Sequence, residues 1–179
     1  MKKPQSYFYV GPKEIAERVE TRYEGNRIIQ IKDVLKWVKD SKQTIVNEQV
    51  IATFVINEQE ELVITDRHLE HVVCAGGRNV LSAGEITFSF EEENLSVSEI
   101  SNQSTGYCPK PTSWGIVEKV LDKIGVEHPK KFTKAYEFRY CENCQTKNLI
   151  KEKIYECAVC EADLDVEWNI DKICQMRLR

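Results

Sequence analysis

Cys141-Glu-Asn-Cys144 and Cys157-Ala-Val-Cys160 set four thiols in two pairs, with residues 145–156 between them. A Cys-x-x-Cys spacing lets the backbone turn tightly enough to aim both sulfurs at one point. Two such knuckles supply the four ligands of a tetrahedral thiolate site, each sulfur about 2.3 Å from the ion. The segment Gln145 to Glu156 is long enough for two short strands and a turn, which carries the second knuckle over the first. Four sulfurs close the coordination shell, so no position remains for water or substrate. That chemistry is structural, and zinc is the expected occupant, with iron the other metal four sulfurs accept.

Two further loops gather residues that could react. One runs Asp66-Arg-His68-Leu-Glu-His71-Val-Val-Cys74-Ala-Gly-Gly77-Arg78; the other is Ser104-Thr-Gly-Tyr-Cys108-Pro-Lys-Pro. Cys108 stands just ahead of a helical stretch, where the helix end favours an anion. A lowered thiol pKa follows there, and faster labelling than at Cys174. If both loops reach the same sheet edge, His68, His71, Cys74, Glu85 and Cys108 converge. Three readings then compete. The cysteines are small buried hydrophobes and the histidines satisfy loop backbone. Alternatively His71, Cys74, Glu85 and Cys108 form a thiol–imidazole or imidazole–carboxylate active site. In the third, His71, Cys74 and Cys108 ligate a second metal.

The elements that must position these groups are legible from periodicity. Gly11-Pro12 opens a helix whose stripe is Ile15, Val19 and Tyr23, stopped by Gly25-Asn26. A second helix follows Asp33, with Val34, Leu35, Trp37 and Val38 for its core contacts. Val50–Ile56, Leu62–Thr65, Ile86–Phe90 and Leu95–Ile100 read as strands of an antiparallel β-meander with polar turns at 57–61 and 91–94. Thr112 or Ser113 caps a third helix carrying Trp114, Val117, Val120, Leu121 and Ile124, and Gly125 ends it. Phe132 to Tyr140 alternates and runs into Cys141 without a Gly- or Ser-rich linker, so the cysteine module is expected to dock on the body. The fold class is α+β: a sheet of four or five antiparallel strands covered by three helices over residues 1–130, and a four-cysteine module over 131–179.

Composition narrows the function. The chain has 179 residues, 41% hydrophobic and 30% charged, with a net charge of −4. Between residues 51 and 109 the only cations are Arg67 and Arg78, against ten carboxylates. Such a surface disfavours non-specific nucleic-acid binding, which needs phosphate neutralisation. A basic strip around Lys130, Lys131, Lys134 and Arg139 reads as a solvated strand face. No apolar run reaches the ~20 residues of a membrane span, and Met1-Lys-Lys-Pro lacks a signal-peptide core. A cytoplasmic location and seven reduced cysteines follow.

Phe132 to Val166 resembles the zinc-ribbon, or rubredoxin-like, modules found in bacterial proteins. The resemblance implies one structural Zn2+ held by Cys141, Cys144, Cys157 and Cys160, with Gln145 and Glu161 standing where glycine is often seen. The block from His71 through Trp114 resembles segments of uncharacterised bacterial proteins and carries no activity with it. Ser82-Ala-Gly-Glu85 and Tyr107-Cys108-Pro109 bear a partial likeness to the ligand motifs of zinc nucleobase deaminases. Ala83 stands where a ligand is needed, and one cysteine replaces a pair. The leading functional expectation is an interaction or adaptor protein that binds a protein partner. The alternative is a small enzyme, thiol/histidine or metal-dependent and including a deaminase-like hydrolase, working at His68, His71, Cys74, Glu85 and Cys108.

Overall fold

The computed structural model describes residues 3–19, 24–91 and 94–177. Among the described residues seven strands and five helices follow one another: α1 Lys13–Glu17, β1 Asn26–Ile28, α2 Ile31–Asp40, β2 Gln49–Asn57, β3 Leu62–Asp66 and α3 His71–Cys74, then β4 Val80–Glu91, β5 Asn94–Ile100, α4 Trp114–Ile124, β6 Glu137–Tyr140, β7 Lys147–Ile150 and α5 Asp171–Arg177. The architecture is α+β. A five-stranded antiparallel sheet runs β1-β3-β2-β4-β5, and β6 and β7 form a separate ribbon.

The order differs from a simple up-and-down walk. β4 returns beside β2, so the link carrying α3 passes over β2 instead of stepping outward from β3. The central place of β2 matches its β-branched run: it is paired on both sides and covered on one face by α2 and α4 and on the other by α3 and Tyr7. Phe54, Val55 and Ile56 are wholly enclosed. The edge strand β1 lies in a segment whose periodicity reads as a helix terminus. It is three residues long and leaves little pattern. The first helix is five residues; of its expected stripe, Tyr23 lies outside the described residues.

Period-two alternation sorts the sheet into two faces. Ala52, Phe54, Ile64, Ile86 and Phe88 meet Val34 and Trp37 of α2 and Val117, Val120 and Leu121 of α4 in the main core. Val55, Val63 and Ala83 face the other way, onto Val72, Cys74, Tyr7 and Tyr107. A short 3-10 turn, Pro111–Ser113, leads into α4, and Gly125 closes that helix in the left-handed region at φ 77°. The Ser113 hydroxyl does not cap it. It lies 3.0 Å from that of Ser82 inside the core.

The cysteine module rests against the N-terminal segment and the loop before α4. Val10, Cys108, Phe138, Tyr140, Ile170 and Ile173 share one apolar cluster. Lys147 donates to Val10 O at 3.1 Å and to Thr105 O at 2.6 Å, and Trp168 Nε1 donates to Cys108 O at 2.9 Å. Arg139 leaves the expected basic strip. It is buried and donates to Asp165 O, Val166 O and Phe138 O, so it braces the module from within.

Candidate metal centre

The two knuckles repeat one backbone pattern. Gln145 N–H donates to Cys141 O at 2.8 Å, and Glu161 N–H to Cys157 O at 2.9 Å. Cys141 N–H donates to Thr146 O, and Cys157 N–H to Ala162 O, both at 2.8 Å. The residue after each Cys-x-x-Cys must turn left-handed to close the loop, and Gln145 and Glu161 do so at φ 62° and 60°. Glycine is free of strain in that region, which explains its frequency there.

The knuckles bring all four sulfurs within 4.8 Å of one another. Cys141 Sγ lies 3.6 Å from Cys160 Sγ, and Cys144 Sγ 3.5 Å from Cys157 Sγ. A tetrahedron with metal–sulfur bonds of about 2.3 Å has edges of about 3.8 Å, so these separations match one ion at the centre. Cys141 and Cys157 are buried; Cys144 and Cys160 are partly exposed. Among the described residues, this is the one group of three or more His, Cys, Asp or Glu whose ligand atoms gather this closely.

Polar donors surround the sulfurs. Asn143 Nδ2 donates to Cys160 Sγ at 3.3 Å, and Asn148 Nδ2 to Cys157 Sγ at 3.5 Å. The Thr146 hydroxyl lies 3.0 Å from Cys144 Sγ and 3.5 Å from Cys157 Sγ. The Thr146 hydroxyl, then the Val159 and Cys160 N–H groups, draw the Cys157 thiol down to about 5 against the cost of burial. Cys160 is lowered too, first by the Asn143 amide and then by the Ala162 N–H. At Cys141 the Cys144 N–H also pulls downward, but burial and the neighbouring Cys160 and Cys144 sulfurs push the thiol up to about 11. Four adjacent thiolates repel one another, and a divalent cation is what allows all four to ionise together. The donors Asn143, Thr146 and Asn148 carry no motif of their own. Their role becomes visible only once the knuckles are folded.

The other expected site residues are spread over three surroundings. Cys74 is enclosed beneath the sheet and donates to Val63 O at 3.4 Å; burial pushes its thiol up to about 12. Cys108 is enclosed in the cluster against the cysteine module and donates to Thr105 O at 3.4 Å. The lowered pKa expected for Cys108 is reversed: burial pushes the thiol up to about 12, and the nearby Lys147 charge recovers little of that. Its greater reactivity than Cys174 falls with it, because Cys174 is the more exposed of the two. His71 donates from Nε2 to Gly84 O at 3.0 Å; burial lowers its pKa to about 4, and the bond to Gly84 offsets part of that. Gly84 is where Ser101 crosses β4, and a Cβ there would overlap Ser101 O.

His68 and Glu85 remain near solvent. His68 Nδ1 is 2.8 Å from Asp66 Oδ1, and Glu85 Oε1 is 3.7 Å from Arg67. His68 lines a groove of about 510 Å³ with Lys42, Gln43, Asn47 and Ile51. Glu85 lines an adjoining cleft of about 200 Å³, and the two share Ile51 and Arg67. Cys74, Cys108 and His71 do not line either. The convergence of the five residues at one edge is therefore not what the fold produces: α3 turns His71 and Cys74 inward, and the loop before α4 turns Cys108 toward the module.

Comparison of the chain with protein-family models, with curated proteins and with solved structures gives no match. Among the described residues no helix is long and apolar enough to cross a membrane.

Proposed function

We propose that this chain is a zinc-ribbon interaction protein: Cys141, Cys144, Cys157 and Cys160 hold one structural Zn2+, and the module so fixed presents a rigid surface to a protein partner. The gathering of four sulfurs within 4.8 Å carries the reading. A filled thiolate shell has no open coordination position, so it supports structure and not hydrolysis. The module also presents Ile154, Val159 and Val166 to solvent, each at least 60% exposed, although its own apolar cluster is small. Exposed apolar side chains on a rigid frame suit a protein partner better than a nucleic acid, and the net charge of −4 points the same way.

Elemental analysis of purified, reduced protein tests the metal: one equivalent of zinc per chain is expected, and a metal-free, fully folded module overturns it. Cys157→Ser is expected to lose the ion and to expose residues 141–160 to protease while the sheet persists. For the partner, Val159→Glu with Ile154→Glu is expected to keep zinc and lose the neighbours captured by cross-linking the wild type. Unchanged neighbours count against the surface.

A further inference from the structure

Asn148 is an unexpected residue to find inside the cysteine module. It is buried, in β7, and burying an amide is unfavourable unless its groups find partners. All of them do. Nδ2 faces Cys157 Sγ at 3.5 Å, Thr146 O at 3.4 Å and Thr146 Oγ1 at 3.5 Å. Oδ1 accepts from the Ala158 N–H at 3.0 Å, inside the second knuckle. One side chain therefore joins the strand leaving the first knuckle to the backbone of the second. Thr146 completes the arrangement, its hydroxyl set between Cys144 Sγ and Cys157 Sγ, one sulfur from each knuckle.

We infer that Asn148 and Thr146 are positioning residues for the metal: together they hold Cys157 and Cys144 at ligand separation and lend hydrogen bonds to their thiolates, and so set how tightly and how long the ion is held. This rests on the four-thiolate reading above. The knuckles alone fix the spacing of sulfurs within each pair. The relation of one pair to the other depends on what crosses between them, and in the buried half of the site those crossings are Asn148 and Thr146. Outer groups of this kind orient ligands and spread the charge of the thiolates.

The test uses the full chain loaded with Zn2+, with Co2+ as an optical probe. Asn148→Asp keeps the acceptor for Ala158 N–H and turns the Cys157 donor into a repelling oxygen. Thr146→Val keeps the shape and removes the hydroxyl, and serves if the first variant does not fold. Each is expected to weaken Zn2+ against a competing chelator by on the order of 10- to 100-fold, to release it faster, and to shift the sulfur-to-Co2+ charge-transfer band. Thr146→Ser should restore wild-type behaviour. Wild-type affinity and an unmoved band in both variants overturn the inference. Weaker binding with an unmoved band overturns it too, because it marks a packing role alone. A wild-type chain that takes up neither ion overturns the metal reading itself, a distinct result.

Discussion

The sheet body and the cysteine module hold themselves together by different chemistry. The body encloses Phe54, Ile56, Ile64, Ile86, Phe88 and Leu121 between a sheet and two helices. Around the four sulfurs the buried cluster is only Cys141, Cys157 and Leu164, two of them members of the four-cysteine group, while Phe138, Tyr140, Ile170 and Ile173 of the module pack toward the body. A stretch that short cannot offset the entropy of ordering its chain with apolar burial alone. What the body gains from packing, the part of the module around the sulfurs gains, on the four-thiolate reading, from a bond to an ion. The two regions should therefore fail under different insults.

Chelation has the largest expected effect. Stripping the metal removes on the order of 10 kcal/mol of apparent binding free energy from the module. Hydrogen exchange should then rise sharply across residues 137–164 and stay slow in β2 and β4. Equal loss in both regions would erase the contrast drawn above. Phe54→Ala is the converse. Phe54 is fully enclosed, and its truncation should cost the body about 3–5 kcal/mol, read from denaturant unfolding, while metal content stays unchanged.

Acid probes the body at one residue. His71 titrates near 4 when folded and at its ordinary 6.5 when unfolded. The unfolded chain thus binds the extra proton first, and stability rises with pH across that window. The contribution is complete above pH 6.5 and is lost as the pH falls toward 4. It amounts to about 2–3 kcal/mol, the lower figure reflecting the solvent contact the ring retains. Unfolding free energies of wild type and His71→Gln, compared from pH 7 to pH 4.5, should show the slope fall in the variant. Parallel curves would mean the ring is not held neutral. The smallest effect is a gain: Gln145→Gly and Glu161→Gly relieve left-handed strain of about 1–2 kcal/mol, less the unfolded-chain entropy that glycine adds, and should each stabilise the loaded module by about 0.5–1 kcal/mol, measured as a rise in Tm.

The regions also differ in how far they can be read from sequence. The metal centre is almost entirely local: two spacings and the segment between them imply the knuckles, the hairpin and the ligands. The strands and α4 are legible because their burial repeats at a fixed period. Strand order is not, since nothing in β4 marks β2 as its neighbour in preference to β3. The fate of Cys108 is illegible for a related reason. Proximity to a helix start is a sequence fact, but its enclosure by Phe138, Tyr140 and Ile170 depends on residues thirty or more positions away. In this chain the solvation of a thiol outweighs its place along a helix. The same applies to Asn148 and Thr146, whose sulfur contacts exist only after folding.

Lys147 holds Val10, 137 positions earlier, and Thr105, 42 positions earlier. A ribosome delivers Val10 first and this lysine 137 residues later. Until the second cysteine pair has emerged and been clasped, Val10 and the turn around Thr105 lack this tie, although Tyr7 can already pair with Val80. The contacts of Val10 and Thr105 with Lys147 thus wait on residues 141–160, and starvation for metal during synthesis should leave those segments open to quality-control proteases well before the sheet is touched.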